Sequence, residues 1–478
     1  MDRDTTRDDR FSALLGATLM GVYLLVVSGT TTAVANGEAA CHGWPACDGH
    51  LLVPPTRLAL AVGWAHRAVV AVVAALLLLA LLAALGRAAD RRVLGALSVA
   101  ALLYPVQVLV GRATALRGVP VALSALHLAL AVGIFVGVLV ALTWTLDGAG
   151  ADGYGDELVR DQVPAADDSV AGAGESTPAE PHQDPTADPG ALALAGQYLS
   201  LTKPRLMWLL CLVALAGVSL AVGAGATVSP VTVVATLVGG VLAIGASGTF
   251  NHVIERDRDA RMDRTADRPL VDGTIPVRNA LAFGVALAVL SVATFALLVN
   301  AVAAALGLVA IVFYSVVYTV VLKPNTSQNI VLGGAVGAFP ALIGWAAATN
   351  DVGLPAVVLG ALIFTWTPAH FYNLALAYED DYARAGYPML PVVRGEAVTR
   401  RHILGYLGAT LLAAGALGAV SSLGWLYVAT TLVFGGVFVW SVLRLHRDRT
   451  DRAAIQSFHA SNAFLGALLV AVAASPLL

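Results

Sequence analysis

The chain of 478 residues is 58% hydrophobic and 12% charged, against roughly 45–50% and about 25% for soluble domains, which excludes a soluble globular protein. Its formal net charge is -3, and the charges sit in short segments between apolar runs, which gives no basis for nucleic-acid binding. Three cysteines, Cys41, Cys47 and Cys211, are too few for a disulfide framework.

Apolar runs of about 20 residues between short polar breaks predict helices that cross a bilayer and satisfy their own backbone in lipid. The expected fold is therefore an all-α polytopic membrane protein of about 13 crossings. Four runs come first, at roughly 12–35, 58–85, 93–112 and 121–145. The first follows MDRDTTRDDR without a small-residue cleavage site, so it reads as a retained helix. Cys41 and Cys47 fall in the loop after it, where a local disulfide is expected, the alternative being a metal site with His42 or His50. His66 and His127 lie about two turns below the outer ends of helices two and four. Two imidazoles at matched depth are placed to hold one heme iron from both sides, or else they are separately packed polar groups. Between Asp147 and Gly190 stand eleven acidic residues, one arginine and five prolines, so 147–194 is expected to be a disordered acidic linker. It separates a four-helix part (1–146) from a nine-helix part (195–478). The nine runs lie at roughly 206–226, 231–250, 280–299, 301–321, 329–349, 355–378, 403–421, 425–443 and 457–476.

With the N-terminus inside the cell, segments 86–92, 251–279, Lys323, 379–402 and 444–452 all fall on the cytoplasmic side, as the positive-inside rule requires. This predicts a multi-pass protein of the plasma membrane with its N-terminus cytoplasmic. Arg112 and Arg117 are the exceptions, and on the outer side they are placed to meet heme propionates.

The densest polar stretch is NHVIERDRDARMDRTADRPL, 251–270. Asn251, Glu255 and Asp259 recur every four residues, so a helix stacks their oxygens on one face, a donor set suited to Mg²⁺. Alternatively its acids and arginines pair with one another on a solvated loop. The topology brings a second acidic stretch, YEDDYARAGYPMLP (378–391), to the same membrane face. Two such clusters call for a cation between them, and a pyrophosphate bridged by Mg²⁺ fits, with Lys323, Arg264, Arg268 and Arg384 on the phosphate oxygens, or else each of these four cations simply follows the positive-inside pattern.

The motifs YLSLTKPR (198–205), 251–270, YTVVLKPNTSQNIVLGGAVGAFPALIGW (318–345), TWTPAHFYNLAL (365–376) and DDYARAGYPMLPVVRGE (380–396) occur in one order. Together they resemble the UbiA-type intramembrane prenyltransferases, in the branch that acts on heme. The resemblance implies transfer of the farnesyl group of farnesyl diphosphate to the vinyl group of heme B with addition of water, giving heme O. It implies Mg²⁺ as cofactor. Asn251, Glu255, Asp257 and Asp259 fall in the first acidic motif, and Asp380 and Asp381 in the second; Asn251, Glu255, Asp259, Asp380 and Asp381 are the implied metal ligands. Lys203, Arg205, Arg264, Arg268, Tyr318, Lys323, His370 and Arg384 are the implied substrate contacts. Glu255 stands where the family has Asp. HFYNLAL with AGYPMLPVV favours heme over the alternative acceptor, a quinone precursor; the other alternative is a non-catalytic heme-binding handover protein. Segment 11–145 resembles one half of heme A synthase, through its Cys-bearing loop, the His66–Arg67 pair and HLALA (127–131). That implies heme bound by His66 and His127, and heme A synthase or terminal oxidase assembly proteins as partners. Gly63 replaces the acidic residue usual three positions before the first histidine.

Overall fold

The computed structural model describes residues 2–34, 44, 58–117, 121–151, 190–421 and 423–477. Among these there is no strand, and thirteen helices are long and apolar enough to cross a membrane, as the apolar runs predict. The expected Cys41–Cys47 disulfide and the central part of the expected linker, 152–189, lie outside the described residues.

The N-terminal helices are α1 (Asp2–Val34), α2 (Leu58–Gly86), α3 (Arg91–Arg117) and α4 (Val121–Ala151). α1 packs on α2 and α4, and α3 on both α2 and α4. Pro105 lies inside α3, a position membrane helices tolerate because neighbours satisfy the freed carbonyl. α4 runs five residues into the stretch expected to be linker. Asp147 gives the reason: its carboxylate accepts a hydrogen bond from Arg401 Nε at 2.6 Å, which anchors the helix end.

The remainder opens with α5 (Ala191–Leu201), so residues 191–194 are helical rather than linker, in line with their Ala-Leu composition. Then come α6 (Pro204–Gly223), α7 (Pro230–Asp259), α8 (Val277–Leu298) and α9 (Ala301–Val312), which continues as a π-helix (Phe313–Leu322). Short helices α10 (Lys323–Asn325) and α11 (Asn329–Gly333) lead into α12 (Ala335–Thr349). The chain ends with α13 (Leu354–Ala377), α14 (Glu379–Arg384), α15 (Leu390–Val420), α16 (Trp425–Asp448) and α17 (Asp451–Ala474).

Lipid offers no hydrophobic drive between helices, so close backbone approach must supply the packing. α6 and α12 show it: a Cβ on Gly217 would sit 2.3 Å from the Ala341 carbonyl oxygen, and one on Gly344 2.0 Å from that of Ala214. The four-helix part joins the same core. α1 lies against α15 and α16, and α4 against α15, with Leu15, Tyr23 and Leu139 in one buried cluster with Leu407, Leu411 and Phe438.

Candidate active site

α7 continues nine residues past the end expected at 250, so the acidic motif rides on its last turns. Steps of four residues drift only about 40° around a helix, and Asn251, Glu255 and Asp259 share one face, only 2%, 3% and 1% exposed. Each of the three side chains meets a cation through one oxygen. Lys203 Nζ donates to Asn251 Oδ1, Lys323 Nζ lies 2.5 Å from Glu255 Oε1, and Arg268 Nη1 lies 2.5 Å from Asp259 Oδ2. The Thr265 hydroxyl donates to the Asp259 carbonyl at 2.8 Å, which folds the following loop back and delivers Arg268. Asp259 Oδ1 stays buried without a hydrogen-bond partner. Asp257 is not brought to this face: two residues past Glu255 a helix points the other way, and its side chain, 82% exposed, pairs with Arg256 at 3.0 Å. For Arg256 and Asp257 the solvated-pair alternative describes the structure; for the three buried residues it does not.

Lys203 links α5 to α6 with φ of +56°, a left-handed conformation that costs a non-glycine residue strain and that gathers at functional sites. The linker passes close against α7 there: a Cβ at Gly248 would lie 3.0 Å from the Leu201 carbonyl oxygen. Burial, only partly offset by the Glu255 charge, pushes the Lys203 ammonium down to about 8. Its Nζ also donates to Tyr314 Oη at 3.2 Å.

The π-helix explains how Tyr314 and Tyr318 reach the same place. Its wider turn stacks residues four and five apart, which aligns Tyr314, Tyr318, Thr319 and Lys323. The Thr319 hydroxyl donates back to the Tyr314 carbonyl at 2.8 Å and receives Asn251 Nδ2 at 3.2 Å. The Tyr318 ring lies 5.6 Å from that of Tyr314 and rests on Gly333, where a Cβ would fall 2.5 Å from the ring.

The second acidic stretch meets the first through cations and aromatic rings. Arg384 pairs with Asp381 and, at 2.8 Å, with Asp263. Arg264 lies 5.0 Å over the Tyr378 ring and 5.8 Å over that of Tyr382. Tyr387 receives two cations, with Lys323 Nζ 4.5 Å and the Arg258 guanidinium 5.1 Å from its ring centre; burial, then the Glu255 charge, pushes its phenol far up. Among the described residues no three His, Cys, Asp or Glu side chains converge, because each carboxylate is turned to its own cation. Asp381 is buried and Asp380 exposed. Arg205 is exposed at the start of α6. His370 is stacked between Trp366 and Phe458, at 4.2 and 4.3 Å between ring centres, with Nδ1 2.7 Å from Ser461 Oγ, so the structure does not bring it to the acidic face. Tyr314, Thr319 and Tyr387 are members that sequence reasoning missed; only the four-residue step from Tyr314 to Tyr318 signalled one of them.

Below Lys203 and Tyr314 a narrow apolar slot runs between α6, α7, α9 and α12, lined by Leu206, Leu210, Gly240, Ile244 and Phe339. In the four-helix part a separate cavity of about 860 Å³ is lined by His66, His127, Arg67, Arg112, Trp44 and Trp64. His66 Nδ1 lies 2.8 Å from Ser28 Oγ. Gln107 Nε2 donates to His127 Nε2 at 3.3 Å, and His127 Nδ1 is buried without a partner. Arg112 lies 5.6 Å over the Trp44 ring; the side chain of Arg117 lies outside the described residues.

Residues 210–468 match the model of the UbiA prenyltransferase family. A protein named protoheme IX farnesyltransferase from Haloarcula marismortui is 54% identical over 97% of both chains. One from Natronomonas pharaonis is 54% identical over 98% of both, and one from Roseiflexus castenholzii 34% identical over 98% of this chain and 85% of its own. A solved digeranylgeranylglyceryl phosphate synthase shares the fold, with a TM-score of 0.50 at 14% identity over 59% of this chain and 98% of its own. The chain belongs to the UbiA prenyltransferase family.

Proposed function

We propose that the chain is an enzyme that transfers the farnesyl group of farnesyl diphosphate to the vinyl group of heme B, with water adding to give heme O. The names of its full-length relatives support the acceptor. The observation that carries the chemistry is the buried face of α7, where three cations oppose three oxygen-bearing side chains above an apolar slot.

Mg²⁺ fits the residues present. Two carboxylates and an amide offer oxygen donors only, Asp259 Oδ1 is buried and unpartnered, and Mg²⁺ sites use one or two carboxylates completed by substrate phosphates rather than an all-protein cage. Asn251, Glu255 and Asp259 would hold it, with Asp381 as a further carboxylate; bound there, it would neutralise charge on the departing diphosphate. Lys203, Lys323 and Arg268 exchange their present partners for phosphate oxygens, so the leaving group meets charge already in place. The faces of Tyr314 and Tyr387 already accept ammonium groups, and the same quadrupole stabilises an allylic cation as the C–O bond breaks. The slot keeps the prenyl tail dry until the vinyl carbon reaches it. Arg264 and Arg384, tied to Tyr382 and Asp263, hold the two cytoplasmic loops together over the site.

The N-terminal cavity, with two histidines and two arginines on its wall, supports a second part of this reading: heme bound by His66 and His127, its propionates near Arg67 and Arg112. The clustering of the catalytic residues with the arginine-rich loops supports a cytoplasmic site in the plasma membrane. Purified protein given heme B, a quinone precursor, farnesyl diphosphate and Mg²⁺ should form heme O, read by mass spectrometry. A prenylated quinone precursor, or no product at all, would replace this reading by one of its alternatives.

A further inference from the structure

The slot under Lys203 and Tyr314 has a closed end. Its lining residues farthest from Lys203 are Ala214 on α6, Thr236 on α7 and Ile343 on α12. Just beyond them α6 and α12 touch backbone to backbone, Gly344 against the Ala214 carbonyl and Gly217 against that of Ala341. On the other side Phe295 fills the gap between α7 and α9: a Cβ on Gly239 or on Gly307 would lie 2.8 Å from its ring. Ile343 is 5% exposed and belongs to the same buried cluster as Phe295. Extending the slot past this point would require separating helices whose backbones are already in contact.

The depth is set by helix geometry. Lys203 to Ala214 along α6 and Gly248 to Thr236 along α7 each cover about 16–18 Å at 1.5 Å per residue. An extended chain advances ~1.2 Å per bond, from about 3.5 Å per three-bond residue, so the twelve-carbon backbone of a farnesyl group needs ~14 Å and the sixteen of a geranylgeranyl group ~19 Å. The first fits between the phosphate-binding cations and the floor; the second does not. We propose that Ile343, backed by the Gly217–Gly344 seam and Phe295, is the stop that limits the prenyl donor to fifteen carbons. This rests on reading the α7 face as the diphosphate site.

The test gives the full-length protein heme B, Mg²⁺ and equal amounts of geranyl, farnesyl and geranylgeranyl diphosphates, and reads the ratio of product masses, so a general fall in activity does not count. Ile343→Ala should raise the geranylgeranyl-to-farnesyl ratio at least tenfold. Gly240→Leu, at a position where a Cβ meets nothing within 4 Å, should block the slot midway and raise the geranyl-to-farnesyl ratio by a similar factor. Unchanged ratios in both variants would overturn the proposal. A second readout needs no acceptor: Cys211 lines the slot, so farnesyl diphosphate with Mg²⁺ should slow its alkylation, followed by peptide mass spectrometry. Geranylgeranyl diphosphate should do so only in Ile343→Ala. Protection of Cys211 without any prenylated heme would leave the length limit standing and sink the heme acceptor. Failure of farnesyl diphosphate to protect Cys211 would sink the length limit itself.

Discussion

Replacing Lys323 by Met separates the structural from the catalytic part of the site. Glu255 has a side chain 4% exposed and Lys323 one 13% exposed, 2.5 Å apart. In Lys323→Met the carboxylate loses this partner, while Lys203 is engaged with Asn251 and Arg268 with Asp259. Removing one member of a buried pair costs about 3–5 kcal/mol, because the other charge is left uncompensated, whereas replacing both by neutral groups of similar size is close to neutral. Lys323→Met should therefore lower stability by that amount, and Lys323→Met with Glu255→Gln should recover most of it. Both should lose turnover, since both lack a cation for the leaving diphosphate. Tryptophan fluorescence during unfolding in mixed detergent, with heme O formation measured in parallel, reads the two effects. A single variant within about 1 kcal/mol of the parent would refute the claim that Lys323 holds a buried Glu255 charge, since exposed pairs typically contribute about 0.2–1 kcal/mol.

Asp259→Ala should abolish heme O formation while the protein remains in the membrane at normal abundance; retained turnover would remove Asp259 from the proposed metal site. Lys203 has a folded value of about 8, below its ordinary 10.5. Burying its charged form therefore costs stability in full below about pH 8, and the cost is relieved as pH rises toward 10.5. Diphosphate binding runs the other way, since it needs the charged form: affinity for labelled farnesyl diphosphate should fall as pH rises through about 8, and Lys203→Arg, which stays charged, should flatten that fall. The purified chain should carry a low-spin bis-histidine heme spectrum that is lost in His66→Ala; an unchanged spectrum would place the heme elsewhere.

The crossings were legible because a bilayer demands about 20 apolar residues per helix, and that requirement is written in composition. So was the shared face of Asn251, Glu255 and Asp259, because a four-residue step needs only a helix to align it. What each acid pairs with was not legible. Lys203, Lys323 and Arg268 reach their partners through a left-handed linker, a π-helix and a folded-back loop, and no local pattern announces any of these. Tyr314 reads as one more aromatic in an apolar run until the π-helix turns it toward Lys203. Arg384 fits the positive-inside rule equally well whether it faces water or Asp263, so only the contact decides. His370 stands among the substrate contacts the resemblance implies, yet Trp366 one turn away, and Phe458 and Ser461 about 90 residues on, occupy it. The seam at Gly217 and Gly344, which closes the slot, depends on how α6 meets α12 and is invisible in either helix alone.

The central claim is that the buried face of α7 drives farnesyl transfer to heme with capture of water. Heme B, farnesyl diphosphate and Mg²⁺ in ¹⁸O-labelled water put it to the test most directly. The account predicts a product heavier than heme B by one farnesyl and one hydroxyl group, the hydroxyl carrying the labelled oxygen, formed by the parent protein and absent with Asp259→Ala. Unaltered heme B from the parent protein, or equal product from the Asp259→Ala variant, would contradict it.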